Sequence, residues 1–403
     1  MMPMLTELKL KRFRSVPYER VVFSNPTFLV GQNGSGKSNF VDVCSFLAEA
    51  MISPLQAVFG RRGGISVVRN RTSGQSYPPN LGVSVLLKSL NEEVAWVKYA
   101  FEIAALKNHG FEVVREQCIV KRTDGRQDWF DRHKKRKTPN WSSGVSLDPA
   151  IERDALMLPT IGGDTRFSAA FRFLSSMRVY SIEPSKLRES QDPDSGASLR
   201  FDGGNAASVL QEIERQSPAQ WERICKFLEA VVPKTTAVRA KKLGNKLSLE
   251  FTQQWGAKKK VNFDAFSMSD GTLRTLGLLT AVYQQSAPSV LVIEEPEATI
   301  HPGALGVVLD LLRHASRQMQ VIVTTHSPEL LDDRWIGDEN LRIVSWRDGA
   351  TRISEVSDVS RDALKSHLAG AGELLRSNAL TAPENLFDDS DLSQRKLFDE
   401  DLK

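Results

Sequence analysis

The chain has 403 residues, 41% of them hydrophobic, with a formal net charge of +4 and a pI near 8.8. That length suits one large or two moderate domains with a substantial core, and the mild basicity is compatible with nucleic acid without pointing to it. No apolar run of about 18 residues exists and Met1–Leu10 lacks a signal-peptide stretch, so no membrane span is expected. Cys44, Cys118 and Cys225 are far apart, lack metal-ligand spacing, and read as reduced thiols of a cytoplasmic protein.

Residues 5–30 alternate in short apolar runs, predicting three strands that end at Phe28-Leu29-Val30. Gly31-Gln32-Asn33-Gly34-Ser35-Gly36-Lys37-Ser38 then fits the phosphate-binding pattern G-x-x-x-x-G-K-[ST] at every fixed position. Phe40, Val41, Val43, Cys44, Phe46 and Leu47 recur at helical spacing behind it. In a strand–loop–helix context the glycines let successive N–H groups face phosphate oxygens, and the helix N-terminus adds its positive end. Lys37 is expected at the β and γ phosphates of ATP and Ser38 on Mg²⁺. Asn33 and Ser35 complete the loop, and Arg14, in the turn Phe13-Arg14-Ser15, is a candidate to border the nucleotide.

Leu81–Leu87, Val94–Ala104 and Phe111–Val120 read as an antiparallel β layer. Residues 121–137 crowd Lys121, Arg122, Arg126, Arg132, Lys134, Lys135, Arg136 and Lys137 beside Trp129, Phe130 and Trp141. Basic residues interleaved with aromatics suit a nucleic-acid contact, and a solvated β-turn is the competing reading. Helices are expected at 206–216 and 218–231, then a hairpin turning at Gly244-Asn245. Residues 258–260 form a second basic cluster for DNA.

Ser267-Met268-Ser269-Asp270-Gly271-Thr272 opens a helix that runs to about Gln285. Val290–Ile293 is a continuous apolar run of the kind found in buried parallel strands, and it delivers Glu294 and Glu295 to a sheet edge. One carboxylate can hold Mg²⁺ and the other can orient or deprotonate an attacking water. A second buried strand, Val321-Ile322-Val323, leads to Thr324-Thr325-His326-Ser327-Pro328. Residues 381–403 are acidic and rich in turn formers, and are expected to be disordered.

These motifs resemble the ABC-type ATPases, in particular the branch of SMC, RecF and overcoming-lysogenization-defect proteins. Gly31–Ser38 matches the phosphate loop and Ser269-Asp270-Gly271 the signature loop, with Asp270 in place of the first glycine and Met268 in place of leucine. Val290–Glu295 matches the acid strand, with Glu294 in place of the commoner aspartate, and His326 matches the switch histidine. The resemblance implies an α/β fold: a P-loop NTPase head of the ABC type with a mixed central sheet, an antiparallel β layer and a helical lobe carrying the signature loop. One ATPase domain over 1–380 is expected, lobe I at about 1–140 and 286–380 and the inserted lobe at about 141–285. No heptads run between 39 and 266, so no SMC arm is expected. The 77 residues after His326 are too few for the nuclease domain of the overcoming-lysogenization-defect proteins.

The resemblance also implies a head-to-tail homodimer around two ATPs, with Ser269 and Gly271 facing the partner's nucleotide and His326 its own. DNA repair and phage defence are the usual settings of this branch, with DNA or an effector protein such as a nuclease or toxin as partner. The alternative is an ATP-binding scaffold that holds and releases such an effector with little turnover. The Mg²⁺-bridging glutamine has no unique candidate among Gln56, Gln117 and Gln127. Separately, Gln394-Arg395-Lys396-Leu397-Phe398 resembles the peptide that bacterial replication proteins insert into the sliding clamp, and Leu386-Phe387-Asp388 is a weaker echo.

Overall fold

The computed structural model describes residues 2–70, 80–107, 110–136, 138–142, 144, 147, 149–256, 259–383 and 396–400. The chain divides into two compact units, one of residues 1–177, 337–368 and 378–403, the other of 178–336 and 369–377.

The first unit contains an antiparallel seven-stranded sheet, ordered Val16–Val22, Met4–Phe13, Leu81–Lys88, Val94–Ala105, Phe111–Arg122, Gln127–His133, Asn140–Trp141. Alternation along Val94–Ala105 sends Tyr99, Phe101 and Ile103 into the core and leaves Lys98 and Glu102 on the opposite face. Phe46, from the helix Lys37–Ile52, packs on Phe13 and Phe101 at ring separations of 5.5 and 6.3 Å. The same unit holds Thr27–Val30, four buried residues that pair in parallel with Leu341–Arg347. Leu341–Arg347 turns back on Ala350–Ser354 through Asp348 and Gly349, both at positive φ, as a two-residue hairpin requires.

The second unit contains three parallel strands, Arg178–Tyr180, Val290–Glu294 and Gln320–Thr325, with the acid strand in the middle. All six residues of Gln320–Thr325 are buried, which accounts for the β-branched run Val321–Thr325. The helices Ala206–Gln216, Pro218–Val231 and Asp270–Tyr283 pack on one another in this unit, which also holds an antiparallel sheet of Thr235–Leu243, Lys246–Trp255 and Lys259–Asp264. Gly244-Asn245 makes the expected turn, with Leu243 opposite Lys246.

The units do not follow the expected lobe boundaries of 140/141 and 285/286. The acid strand groups with the signature segment, because it pairs with Arg178–Tyr180 immediately before that segment's helices. The tail also departs from expectation at residues 396–400, which are packed against the seven-stranded sheet, with Leu397 5% and Phe398 9% exposed. Among the described residues no helix is long and apolar enough to cross a membrane. The three cysteines are free and buried, and burial pushes the Cys44 thiol up to about 12.

Candidate active site

The phosphate loop lies wholly within the first unit. Gly34 and Gly36 adopt φ of +79° and +101°, a region that side chains disfavour. Lys37–Ile52 begins directly at Gly36, with no side-chain cap and no acid in its first turn, so its positive end is left for an anion. Lys37 Nζ donates to the carbonyls of Gly31 and Gln32 at 2.7 and 3.1 Å, which curls the ammonium over the loop. Ser35 Oγ is buried without a hydrogen-bond partner, and Ser38 is exposed in the first helical turn. An orphan hydroxyl, a lysine and a bare helix N-terminus fit phosphate oxygens, and an exposed serine there fits a magnesium ligand.

The loop is braced by a residue not foreseen from the sequence. Thr351, fully buried on Ala350–Ser354, donates its hydroxyl to Ser35 O at 3.1 Å and meets Ser15 Oγ at 2.6 Å. Asn39 Nδ2 donates to the same Ser15 Oγ at 2.7 Å. A Cβ on Gly36 would stand 1.9 Å from Thr351 Oγ1, so glycine there answers close approach as well as backbone conformation. Arg14, expected beside the nucleotide, is tied through Nε to Asp42 of the loop helix at 2.6 Å.

The catalytic candidates lie in the second unit. Glu294 ends the strand, and Glu295 turns out of it at φ +43°. The Glu295 N–H donates to Thr324 O and Oγ1 at 3.0 and 3.2 Å, which fixes this left-handed corner. His326 Nδ1 lies 3.2 Å from Glu295 Oε1. Glu297, buried behind them, accepts from Thr325 Oγ1 at 2.6 Å and from the His326 N–H at 3.3 Å. Burial raises the Glu297 carboxyl above its ordinary range, against these hydrogen bonds.

The signature segment shares this unit. Ser269 caps the helix Asp270–Tyr283, its Oγ accepting from the Thr272 N–H at 3.2 Å. Ser269 and Asp270 are exposed, and Asp270 pairs with Arg188 at 2.6 Å. Gly271 passes so close to the Thr299 carbonyl that a Cβ would stand 2.6 Å from it. One turn on, Arg274 Nη2 donates to the backbone oxygens of Glu294 and Glu295 at 3.3 and 2.9 Å. The signature helix is thereby bonded to the backbone that carries the acid pair. Burial lowers the Arg274 pKa, opposed by the nearby carboxylates of Glu297, Glu295 and Glu294. Arg274 was not singled out from the sequence, although it is the one charged side chain in the run Leu273–Tyr283.

The chain matches the family described as "AAA domain, putative AbiEii toxin, Type IV TA system" over residues 27–105 and 120–332. It belongs to that AAA-domain family. The solved structures similar to this AAA-domain chain include an Smc head bound to the C-terminal winged-helix domain of ScpA, at TM-score 0.54 and 16% identity, covering 88% of this chain and 98% of that one. Another is an Smc head with an extended coiled coil, bound to the C-terminal domain of ScpA from Pyrococcus furiosus, at TM-score 0.54 and 14% identity, with 91% and 100% coverage. A third, from Pyrococcus yayanosii, has TM-score 0.52 and 13% identity, again with 91% and 100% coverage. No curated protein matches the chain. The fold is that of an ABC-type head of the SMC and RecF kind, and the AAA-domain protein is a nucleotide-binding ATPase by family.

The proposed nucleic-acid patch is largely engaged internally. Arg122, Arg126 and Lys134 pair with Asp128, Asp124 and Glu112 at 2.8, 2.7 and 2.6 Å. Arg132 and Lys121 donate to backbone carbonyls at 2.6 and 2.7 Å. Lys135 and Arg136 are exposed, and Lys137 lies outside the described residues. Phe130 is fully buried against Trp141 and Phe167, so it is core rather than a stacking platform for bases. In the second cluster Lys259 and Lys260 are exposed and Lys258 lies outside the described residues. The clamp-like peptide is also engaged: Leu397 and Phe398 are buried within their own chain, and Gln394 lies outside the described residues. Gln117 bonds to that same tail, Gln56 is exposed, and Gln127 lies in the strand Gln127–His133.

Proposed function

We propose that the protein is an ATP-driven switch that dimerises head to tail around two nucleotides and hydrolyses them. In this reading Lys37 and the loop N–H groups bind the phosphates, and Ser38 with Glu294 holds Mg²⁺, which offsets charge on the transferring phosphoryl group. Glu295 orients or deprotonates the water, and His326, held on Glu295, supports it from the end of the neighbouring strand. Ser269 and Gly271 complete the partner's site. The observation that carries the reading is the bond from Arg274 of the signature helix to the backbone of Glu294 and Glu295. Through it, contact at the exposed signature end is felt at the acids.

The test is association. Glu295→Gln keeps the shape and removes the base, so ATP with Mg²⁺ should trap a dimer visible in light scattering at micromolar protein. A strictly monomeric Glu295→Gln under those conditions sinks the sandwich. Mixing Lys37→Ala with Ser269→Arg should restore one working site per mixed dimer, so up to about half of one native dimer's activity by site counting.

The partner is proposed to be an effector protein of the toxin or nuclease kind, acting in phage defence, in line with the toxin–antitoxin wording of the family description. The paired cations of residues 121–136 favour a protein over DNA. A scaffold that holds and releases the effector with little turnover is the second reading, also favoured by that wording. Turnover of the purified protein well below one ATP per minute, unchanged by the effector, would favour the scaffold.

A further inference from the structure

Residues 396–400 cross one face of the seven-stranded sheet without regular secondary structure, and each of them meets a group of that face. Gly82 forms the notch for Leu397, since a Cβ on Gly82 would come within 2.4 Å of the Leu397 side chain. Leu397 and Phe398 cluster on Ala100. The Arg115 guanidinium lies over the Phe398 ring at 4.6 Å and pairs with Glu400 at 2.8 Å. The Gln117 side-chain amide meets the peptide unit as a strand would, accepting from the Asp399 N–H and donating to Asp399 O, both at 2.9 Å. Lys98 pairs with the Asp399 carboxylate, and Lys9 Nζ donates to Lys396 O at 3.4 Å.

We propose that this face is a binding site for short acidic peptides of the order Leu-Phe-Asp-(Glu or Asp), and that the chain's own tail is its resident ligand. The chemistry is that of a linear-motif reader: two apolar anchors, an amide that pairs with peptide backbone, and two cations for two acids. The resident contact is small, and its charged ends lie open to solvent, with the Asp399 and Glu400 side chains 44% and 64% exposed. Such a contact persists chiefly because attachment keeps the ligand at high local concentration. It is therefore exchangeable, and its ion pairs make it weaken with salt. The tail repeats the same order at Leu386-Phe387-Asp388-Asp389, so a second sequence of the ligand class is present in the chain.

The experiment uses the full chain carrying Leu386→Ser, Phe387→Ser, Leu397→Ser and Phe398→Ser, which empties the cradle of both tail sequences without touching its walls. A fluorescein-labelled peptide of residues 394–403 is followed by anisotropy. Saturable binding to this variant is expected, with the native chain binding at least about tenfold more weakly because its own tail competes. An unlabelled peptide of residues 383–392 should displace the probe. Lys98→Glu in the emptied background should lose the peptide, and a peptide with Asp399→Lys should recover it. Absence of binding to the emptied variant, equal binding by the native chain, or equal binding of a Phe398→Ser peptide would overturn the proposal. Failure of the 383–392 peptide to compete would overturn the motif, and failure of the charge swap the assigned Asp399 contact.

Discussion

Glu295 and His326 face each other at the ends of adjacent parallel strands, Oε1 to Nδ1 across 3.2 Å. The corner that brings them together is strained, with non-glycine residues at positive φ at both Glu295 and Thr299. His326 is therefore expected to act through Glu295 and the γ-phosphate region rather than in substrate affinity. His326→Ala should lower ATP turnover on the order of 10²-fold while leaving ATP affinity within about twofold. A change in affinity as large as the change in turnover would contradict that assignment.

Arg274 should behave as a positioning residue. Arg274→Met keeps much of the bulk and removes the bonds to the two carbonyls. Losing those two bonds should cost about 1–3 kcal/mol in stability. Turnover should fall more than ATP binding, because the phosphate loop is untouched. Arg274→Lys should recover stability in part, its single ammonium lacking the fork that spans two oxygens. Urea unfolding and steady-state ATPase assays on the same samples separate the two effects.

The brace on the phosphate loop gives a third expectation. Thr351→Val is nearly isosteric but removes the hydroxyl that bonds Ser35 O and Ser15. It should weaken binding of a labelled ATP analogue and destabilise the protein by about 1–3 kcal/mol. Gly36→Ala should be worse, since it combines a left-handed backbone with the clash against Thr351. Lys37→Ala should abolish tight binding, and unchanged affinity in that variant would sink the phosphate-loop reading.

Glu19 should make stability fall as pH rises from about 4.5 to about 7. Burial raises its carboxyl to about 7, only partly offset by the Ile353 N–H and Arg352. The folded state holds the proton more tightly than the unfolded chain, whose carboxyl titrates near 4.5. Stability from this group is thus full below that value and is lost as pH climbs through about 7. The loss should total roughly 3 kcal/mol. Glu19→Gln keeps an acceptor for Ile353 and should flatten the difference between urea midpoints at pH 5 and pH 8. An equally steep variant would assign the effect elsewhere.

What could be read in the sequence was what neighbouring residues encode together. The phosphate loop, the acid strand and the helices Ala206–Gln216 and Pro218–Val231 each announce themselves by local spacing, and their bounds in the fold agree closely. Thr351 and Arg274 were not legible, because their roles depend on partners 316 and 21 residues away. Part of what engages the basic run at 121–137 was hidden for the same reason: Glu112 and Ala155, which engage Lys134 and Arg132, lie outside the run. The tail misled by composition. Acidic residues suggest a solvated segment, but two apolar side chains and a glycine notch were enough to seat residues 396–400.

The pairing of Thr351 with Ser35 also sets a timetable. On the ribosome the phosphate loop emerges early, but the hydroxyl that braces it is 316 residues behind, and Leu341–Arg347, the strand beside Thr27–Val30, arrives only shortly before. A chain made past Ser38 but not yet to that hairpin has the full glycine-rich motif and lacks Thr351 beside it. The wall of the phosphate loop is thereby completed only once residue 351 has been made.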